Sequence, residues 1–187
     1  MQVNMPGLGG LKIEVHTEHE PRLRAIEDED YSGIVRKVRD IFTEQHGLSP
    51  SDEFVASGLE GLKQYYAVAL LDPLNAHAVS PKIDMFWHAH MLHSRQYAEF
   101  CDRVVSRFMH HEPLNDENEE EVEAVRRLYD FTLEVLDKMF VRVDPKNFPA
   151  RGEADYRLLC SHNRSCNSRI NGLALFPFDP RGVPLSN

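Results

Sequence analysis

The sequence lacks the features that would assign it to several large classes of protein. It has one tryptophan and three cysteines among 187 residues. An odd count of cysteines does not suggest the disulfide framework of a small secreted domain. The longest uninterrupted apolar run, residues 65–71, is far too short to cross a bilayer. The chain does not begin with a basic segment followed by an apolar run, which is the pattern of a secretory signal. These absences predict a cytoplasmic protein without a membrane-spanning helix.

Positive charge is also scarce. Lysine and arginine number 21 against 30 acidic residues, which gives a formal net charge of -9. Because no cluster of basic residues offsets this charge, phosphate backbones and anionic lipid surfaces should be repelled. We therefore expect neither a nucleic acid nor a membrane as partner. The catalytic templates of serine hydrolases, phosphate-loop enzymes and His-Glu-x-x-His metalloproteases are absent as well.

The composition is that of an ordinary globular domain, with 42% hydrophobic and 27% charged residues. We predict a mainly α, single-domain helical bundle of about four to six helices. An N-terminal arm is expected over residues 1–29 and the helical domain over 30–141. An irregular tail containing Pro, Gly and Cys is expected over 142–187, packed on the helices. The sequence leaves the oligomeric state open.

Local signals place the predicted helices. Apolar residues at helical spacing and a following glycine predict a helix over residues 32–46. A second helix should open at the Ser49-Pro50 pair and end before Pro73, and a third should begin after Ser80. The third is expected to break near His93. A last, strongly amphipathic helix follows the acidic run, whose charges favour a helix N-terminus. Alternation over residues 11–18 also allows a short strand.

Histidine is the unusual component, because several of the ten histidines crowd together in DMFWHAHMLH and in the later His110-His111 pair. Residues of an α-helix advance by about 100°, so Asp84 and His88 lie one turn apart on one face. His90 lies about 200° away from His88. A carboxylate and an imidazole at this spacing can share a cation, or the carboxylate can orient the ring by accepting its second N–H.

The preferred metal ligands are Asp84, His88 and His111, with His110 as the alternate to His111 and Cys101 as a possible fourth ligand. Imidazole and carboxylate suit Fe(II) and Zn(II), which are favoured here, and Cu remains possible. Two histidines and one acid leave coordination positions open for water, O₂ or substrate.

Other candidates carry open alternatives. His90 and Tyr97 are candidate catalytic residues, together with Asp84 and His88. The alternative for His90 is a residue of the polar face or one that supports a ligand, and the alternative for Tyr97 is a core residue. His93 could pair with His90 as a further ligand or remain a polar surface residue. The tail motif could bind zinc with an outside ligand, complete the main site, form a disulfide or hold unpaired thiols; its residues are Cys160, His162 and Cys166.

The segment SPKIDMFWHAHMLHSRQYAEFC with the later FMHH resembles bacterial members of the glycine-rich-domain-containing-protein-like family. The resemblance covers about residues 52–140, and its pattern falls on Asp84, Trp87, His88, His90, Leu92, Tyr97, Cys101 and His111. It implies a helical domain, is compatible with a bound metal, and implies no particular reaction. The chain departs from the pattern at His93-Ser94 and Val105-Ser106. No glycine-rich repeat follows, so the RNA- or partner-binding roles of plant relatives transfer poorly.

Two functions of different classes fit these residues. The first is a metal-dependent enzyme acting on a small molecule or a peptide, by oxygenation if the ion is iron or by hydrolysis if it is zinc. The second is a non-catalytic, metal-stabilised module whose acidic surface recognises a basic protein partner. A closed four-ligand zinc site would favour the second function.

Overall fold

The protein is described by a computed structural model covering residues 5–112, 114–154 and 159–162, without the side chains of Cys160 and His162. Over these residues the fold is mainly α, as predicted. The six α-helices of the described part are α1 (Glu20–Asp28), α2 (Ser32–His46), α3 (Asp52–Leu71), α4 (Pro81–Leu92), α5 (Ser94–Val105) and α6 (Glu119–Met139).

A small antiparallel sheet accompanies the helices and was not predicted. Its strands are β1 (Ala78–Val79), β2 (His111–Glu112) and β3 (Cys160–His162), in the order β1-β3-β2. Strands of two or three residues are too short to show the alternation by which a strand is read from sequence. The central strand comes from the segment expected to be an irregular tail, so part of that segment is built into the fold.

The predicted bounds of α2 are confirmed, and Gly47 ends the helix in a left-handed conformation with a φ of 71°. The expected opening of α3 was displaced by two residues. Ser51, rather than Ser49, is the N-cap, because its hydroxyl accepts the backbone N–H of Phe54 at 3.1 Å. Pro50 therefore precedes the helix instead of occupying its first position.

The break between α4 and α5 is also confirmed. Ser80 caps α4 by accepting the N–H of Ile83 at 3.3 Å, and Pro81 takes the first helical position. His93 leaves the helical conformation with a ψ of 57°. Ser94 is the first residue of α5 rather than its cap, because His93 occupies the position between the two helices.

The N-terminal segment contains a helix that the sequence analysis did not find. Helix α1 buries only Leu23 and Ile26, which is too short a pattern for helical periodicity to stand out. It packs against α3 and α5. Residues 11–18 do not form a strand of a sheet, and Leu11 makes a single antiparallel bridge with Phe140.

Helix α4 approaches α3 closely because two glycines of α3 leave room for its side chains. A β-carbon on Gly58 would lie 2.3 Å from the Phe86 ring, and one on Gly61 would lie 2.5 Å from Cδ1 of Ile83. Phe86 and Ile83 are fully buried in this contact. This close contact fixes the rotation of α4 about its axis, and so determines the direction in which the side chains on its opposite face point.

We predict that Gly58→Ala lowers the free energy of unfolding by about 1–3 kcal/mol, because the added methyl group overpacks against Phe86. In a helix without such a neighbour the same change would stabilise by up to about 1 kcal/mol. Urea unfolding measures the difference. Ala56→Ser, on the exposed face of the same helix, is the control and should change stability little. Stabilisation by Gly58→Ala would contradict the close packing.

Candidate metal centre

The site is built on the partly exposed side of α4. Ile83, Phe86 and Trp87 of this helix are buried, whereas Asp84 and His88 are only partly covered. Since residues four apart lie one turn apart, the two side chains stand next to each other as predicted. The glycine contacts on the buried face hold them in this direction.

The third side chain comes from the sheet. His111 opens β2 and is paired in register with His162 of β3, which fixes its backbone. Its ring packs on that of Trp87, with 5.1 Å between the ring centroids. Trp87 is fully buried, so the single tryptophan is a core residue that supports His111.

The three predicted side chains come together. Asp84 Oδ1 lies 2.9 Å from His111 Nε2, and Asp84 Oδ2 lies 2.9 Å from His88 Nδ1. The two imidazole centroids are 4.4 Å apart. One ligand atom from each residue can be chosen so that all lie within 4.8 Å of one another. Among the described residues, this is the one group of three His, Cys, Asp or Glu side chains with such spacing.

The carboxylate at the centre of the group is ionised. Burial opposes its ionisation, but the hydrogen bonds and positive potential of His111 and His88 outweigh this, and the pKa of Asp84 lies below its usual range. The hydrogen bond to Asp84 raises the pKa of His88 against the opposing effect of burial. The side chain of His88 is 45% exposed, compared with 16% for Asp84 and 14% for His111, so His88 is the member that faces solvent.

Hydrogen bonding also determines which nitrogen of His88 can bind an ion. Its Nδ1 faces two acceptors, the Asp84 carboxylate and the Asp84 backbone carbonyl at 3.0 Å. In the neutral ring Nδ1 therefore carries the hydrogen and Nε2 keeps a free lone pair. Asp84 can orient the imidazoles in this way or bind the ion itself.

The spacing suits coordination of a small divalent ion. Two ligand atoms of a tetrahedral zinc, each about 2.1 Å from the ion, are about 3.4 Å apart. One ligand atom from each of the three residues lies within 4.8 Å of the other two, so small side-chain movements would bring them to this separation. The three side chains are thus close to the positions that an ion would require.

Three other predicted ligands do not join this group. His110 is exposed and its ring packs on Phe108, with 4.9 Å between centroids. Nδ1 of His93 contacts the carbonyl of Ala89 at 2.9 Å. Cys101 is a buried free cysteine, and burial raises the pKa of its thiol, which disfavours the thiolate that metals bind.

The candidate catalytic residues His90 and Tyr97 lie in the core. The Tyr97 hydroxyl accepts the Trp87 indole N–H at 2.8 Å and donates to the Met109 carbonyl at 2.7 Å. His90 is fully buried, with Nδ1 2.8 Å from the Tyr66 hydroxyl and Nε2 without a hydrogen-bond partner. Burial lowers the pKa of His90 to about 3. We therefore leave both residues out of the proposed catalytic set.

The tail residues of the predicted set are only partly within the described structure. The backbones of Cys160 and His162 belong to β3. Their side chains, and the whole of Cys166, lie outside the described residues.

A second polar cluster, which the sequence analysis missed, is structural. Nε2 of His77 lies 3.1 Å from Asp72 Oδ2, and its Nδ1 lies 3.3 Å from the Thr132 hydroxyl. The order acid, imidazole, hydroxyl is that of a hydrolase triad, but all three residues are fully buried. The Thr132 hydroxyl also donates to the Leu128 carbonyl and accepts the Ala78 N–H. The cluster therefore joins α6 to β1 and the loop after α3.

A cleft of about 720 Å³, which was not predicted, lies between α2 and α4, and its lining includes Asp84 and His88. Ile41 and Phe42 of α2 continue, at helical spacing, the apolar face of the buried Ile34 and Val38. They remain only partly buried and line the cleft instead. The sequence shows the apolar face of α2 but not which neighbour covers it, so the pattern alone does not reveal the cleft.

A family model described as UCP032817-like matches residues 22–149, and the chain belongs to that family. The resemblance to the glycine-rich-domain-containing-protein-like family was therefore wrong as an assignment. No curated protein and no solved structure matches the chain. Within the described residues, no helix combines the length and apolar character needed to span a bilayer.

We predict that Tyr66→Phe lowers the free energy of unfolding by about 1–3 kcal/mol, because both nitrogens of the buried His90 would then lack a partner. Chemical denaturation measures this loss. Binding of divalent metal should be unchanged in the folded variant, since neither residue contacts Asp84, His88 or His111 in the described structure. Loss of bound metal from a folded Tyr66→Phe protein would contradict this and would indicate that His90 belongs to the metal site.

Proposed function

We propose that the protein is a metal-dependent enzyme whose mononuclear centre is held by Asp84, His88 and His111. The observation that supports this most is the convergence of one carboxylate and two imidazoles beside a cleft of small-molecule size. The residues come from a helix and from a strand 23 residues further along the chain, counted from His88 to His111.

The donor set favours Fe(II) or Zn(II), with Cu possible. A bound ion of this kind would activate O₂, if iron, or water, if zinc, toward a small molecule or a peptide. Three protein ligands leave at least one coordination position for that reactant. Which of the two reactions occurs depends on the ion that the protein carries.

Each residue has a distinct part in the proposed centre. Asp84 supplies the negative charge that lowers the cost of placing a cation at a half-buried position. His111 is held from behind by Trp87 and by the sheet, which favours a rigid ligand. His88 is the most exposed of the three and borders the cleft. A molecule in the cleft would therefore meet the centre from the His88 side.

Replacing a ligand should remove the metal. We predict that His88→Ala, His111→Ala and Asp84→Asn each lose most bound Fe or Zn, with at least tenfold weaker affinity, because truncating one of three ligands costs more than about 1.4 kcal/mol of binding. Inductively coupled plasma mass spectrometry of protein from its native host, followed by zinc titration, measures both quantities.

His46→Ala is the matched control, since His46 lines the same cleft from α2 but does not belong to the three-residue group. It should keep full stoichiometry. Full stoichiometry in the folded His88→Ala protein would refute the assignment. Circular dichroism of each variant separates loss of a ligand from loss of the fold.

The strand register favours a second candidate, a non-catalytic metal-stabilised interaction module. Residue 162 is the Cα partner of His111, so strand β3 runs directly beside the strand that carries this ligand. A fourth ligand from this strand would close the coordination sphere. A closed site stabilises a fold but leaves no position for a substrate.

Cobalt substitution distinguishes the two candidates. Four-coordinate Co²⁺ absorbs visible light much more strongly than five- or six-coordinate Co²⁺. For an enzyme we expect a spectrum that changes when azide is added, because an open position accepts the anion, and a spectrum that His162→Ala leaves unaltered. Insensitivity to azide together with a large change in His162→Ala would instead identify the structural module.

A further inference from the structure

We propose that the cleft beside the centre binds a small aromatic or branched aliphatic carboxylate, with its carboxylate at Lys82 and its far end at His88. The inference rests on the proposed function, because it takes the cleft as the substrate cleft of the metal centre. It adds the chemical class of the substrate, which the centre itself does not determine.

The walls of the cleft are apolar. Its volume of about 720 Å³ falls within the range of about 300–1,000 Å³ that is typical of small-molecule sites. The apolar side chains come from three helices and include two aromatic rings, and they are Ile41, Phe42, Phe54, Met85 and Leu92. Leu92 is 64% exposed at one end. An apolar lining of this kind can bind the apolar part of a ligand but does not orient it. The orientation of the ligand must therefore come from the few polar side chains in the lining.

Lys82 is the cationic side chain that α4 contributes to this lining. Its Nζ lies 4.5 Å from the centroid of the Phe54 ring and 3.2 Å from the Ser57 hydroxyl. Among the described residues, no carboxylate lies within 4.0 Å of this nitrogen. The Ser57 hydroxyl in turn donates a hydrogen bond to Asp144 at 2.6 Å, so this carboxylate is linked to Lys82 only through Ser57. A half-buried ammonium without a direct counter-ion favours an anionic ligand.

The spacing along α4 gives an approximate scale for the length of the ligand. Lys82 and His88 are six residues apart, which corresponds to about 9 Å along the helix axis. A molecule with a carboxylate at one end and a ring two or three carbons away would span this distance. The charged end of such a molecule would lie at Lys82, and its apolar body would lie along the apolar lining toward His88.

The test compares 3-phenylpropanoate with its neutral isostere 3-phenylpropanamide, by ligand-observed NMR titration of the full-length protein. The acid should bind at least tenfold more tightly than the amide. Lys82→Met, which keeps the apolar stem and removes the charge, should weaken binding of the acid at least tenfold and leave binding of the amide unchanged. Lys82→Arg should retain most of the binding of the acid.

Lys146→Met is the matched control, because Lys146 lies on the surface, pairs with Glu53 and does not line this cleft. It should bind the acid as the unmodified protein does. Phe42→Ala should weaken the acid and the amide equally, and this second variant tests the apolar wall even if Lys82→Met fails to fold. Three results would overturn the inference. They are equal affinity for the acid and the amide, unchanged affinity for the acid in Lys82→Met, and no binding of the acid at all.

Each titration is run on zinc-loaded and on chelator-treated protein. Binding that depends on Lys82 in both forms supports the inference even if the proposed metal function fails. Binding of the acid only to the zinc-loaded form, and insensitive to Lys82, would place the carboxylate on the metal. That outcome would overturn the role of Lys82 and leave the proposed metal centre intact.

Discussion

The carboxylate of Asp84 is the interaction on which the rest of the candidate site depends. Each of its oxygens contacts one imidazole at 2.9 Å, so a single side chain links helix α4 to strand β2. The hydrogen bonds from these rings keep the carboxylate ionised despite its partial burial. Without a negative charge here, two histidines alone would provide a weaker site for a divalent cation.

The fold directs this carboxylate by packing on the opposite side of the helix. Two glycines of α3 admit the side chains of Phe86 and Ile83, and the N-cap at Ser80 fixes where α4 begins. Trp87 connects the two halves of the site, since it is buried with α4 and supports the ring of His111. A ligand set formed in this way is rigid before any ion binds, which reduces the entropy lost on binding.

Much of this arrangement could be predicted from the sequence, because the signals are local. The ends of α2 and the break at His93 follow from glycine and capping positions, and the pairing of Asp84 with His88 follows from helical spacing. The sequence analysis preferred His111 but kept His110 as the alternate, because the strand pairing that positions His111 is a contact between distant segments and leaves no periodic trace in two or three residues. The cleft was hidden for a similar reason, because the pattern of α2 shows an apolar face but not which neighbour covers it.

The family match extends over residues 22–149 and includes the three side chains of the proposed centre. The most direct measurement is anomalous X-ray diffraction from crystals of the full-length protein grown with zinc, collected on both sides of the zinc absorption edge. We expect one anomalous peak about 2.0–2.2 Å from a carboxylate oxygen of Asp84 and from one nitrogen each of His88 and His111. A zinc peak elsewhere in the molecule, with these three side chains bound only to one another, would contradict the proposed centre.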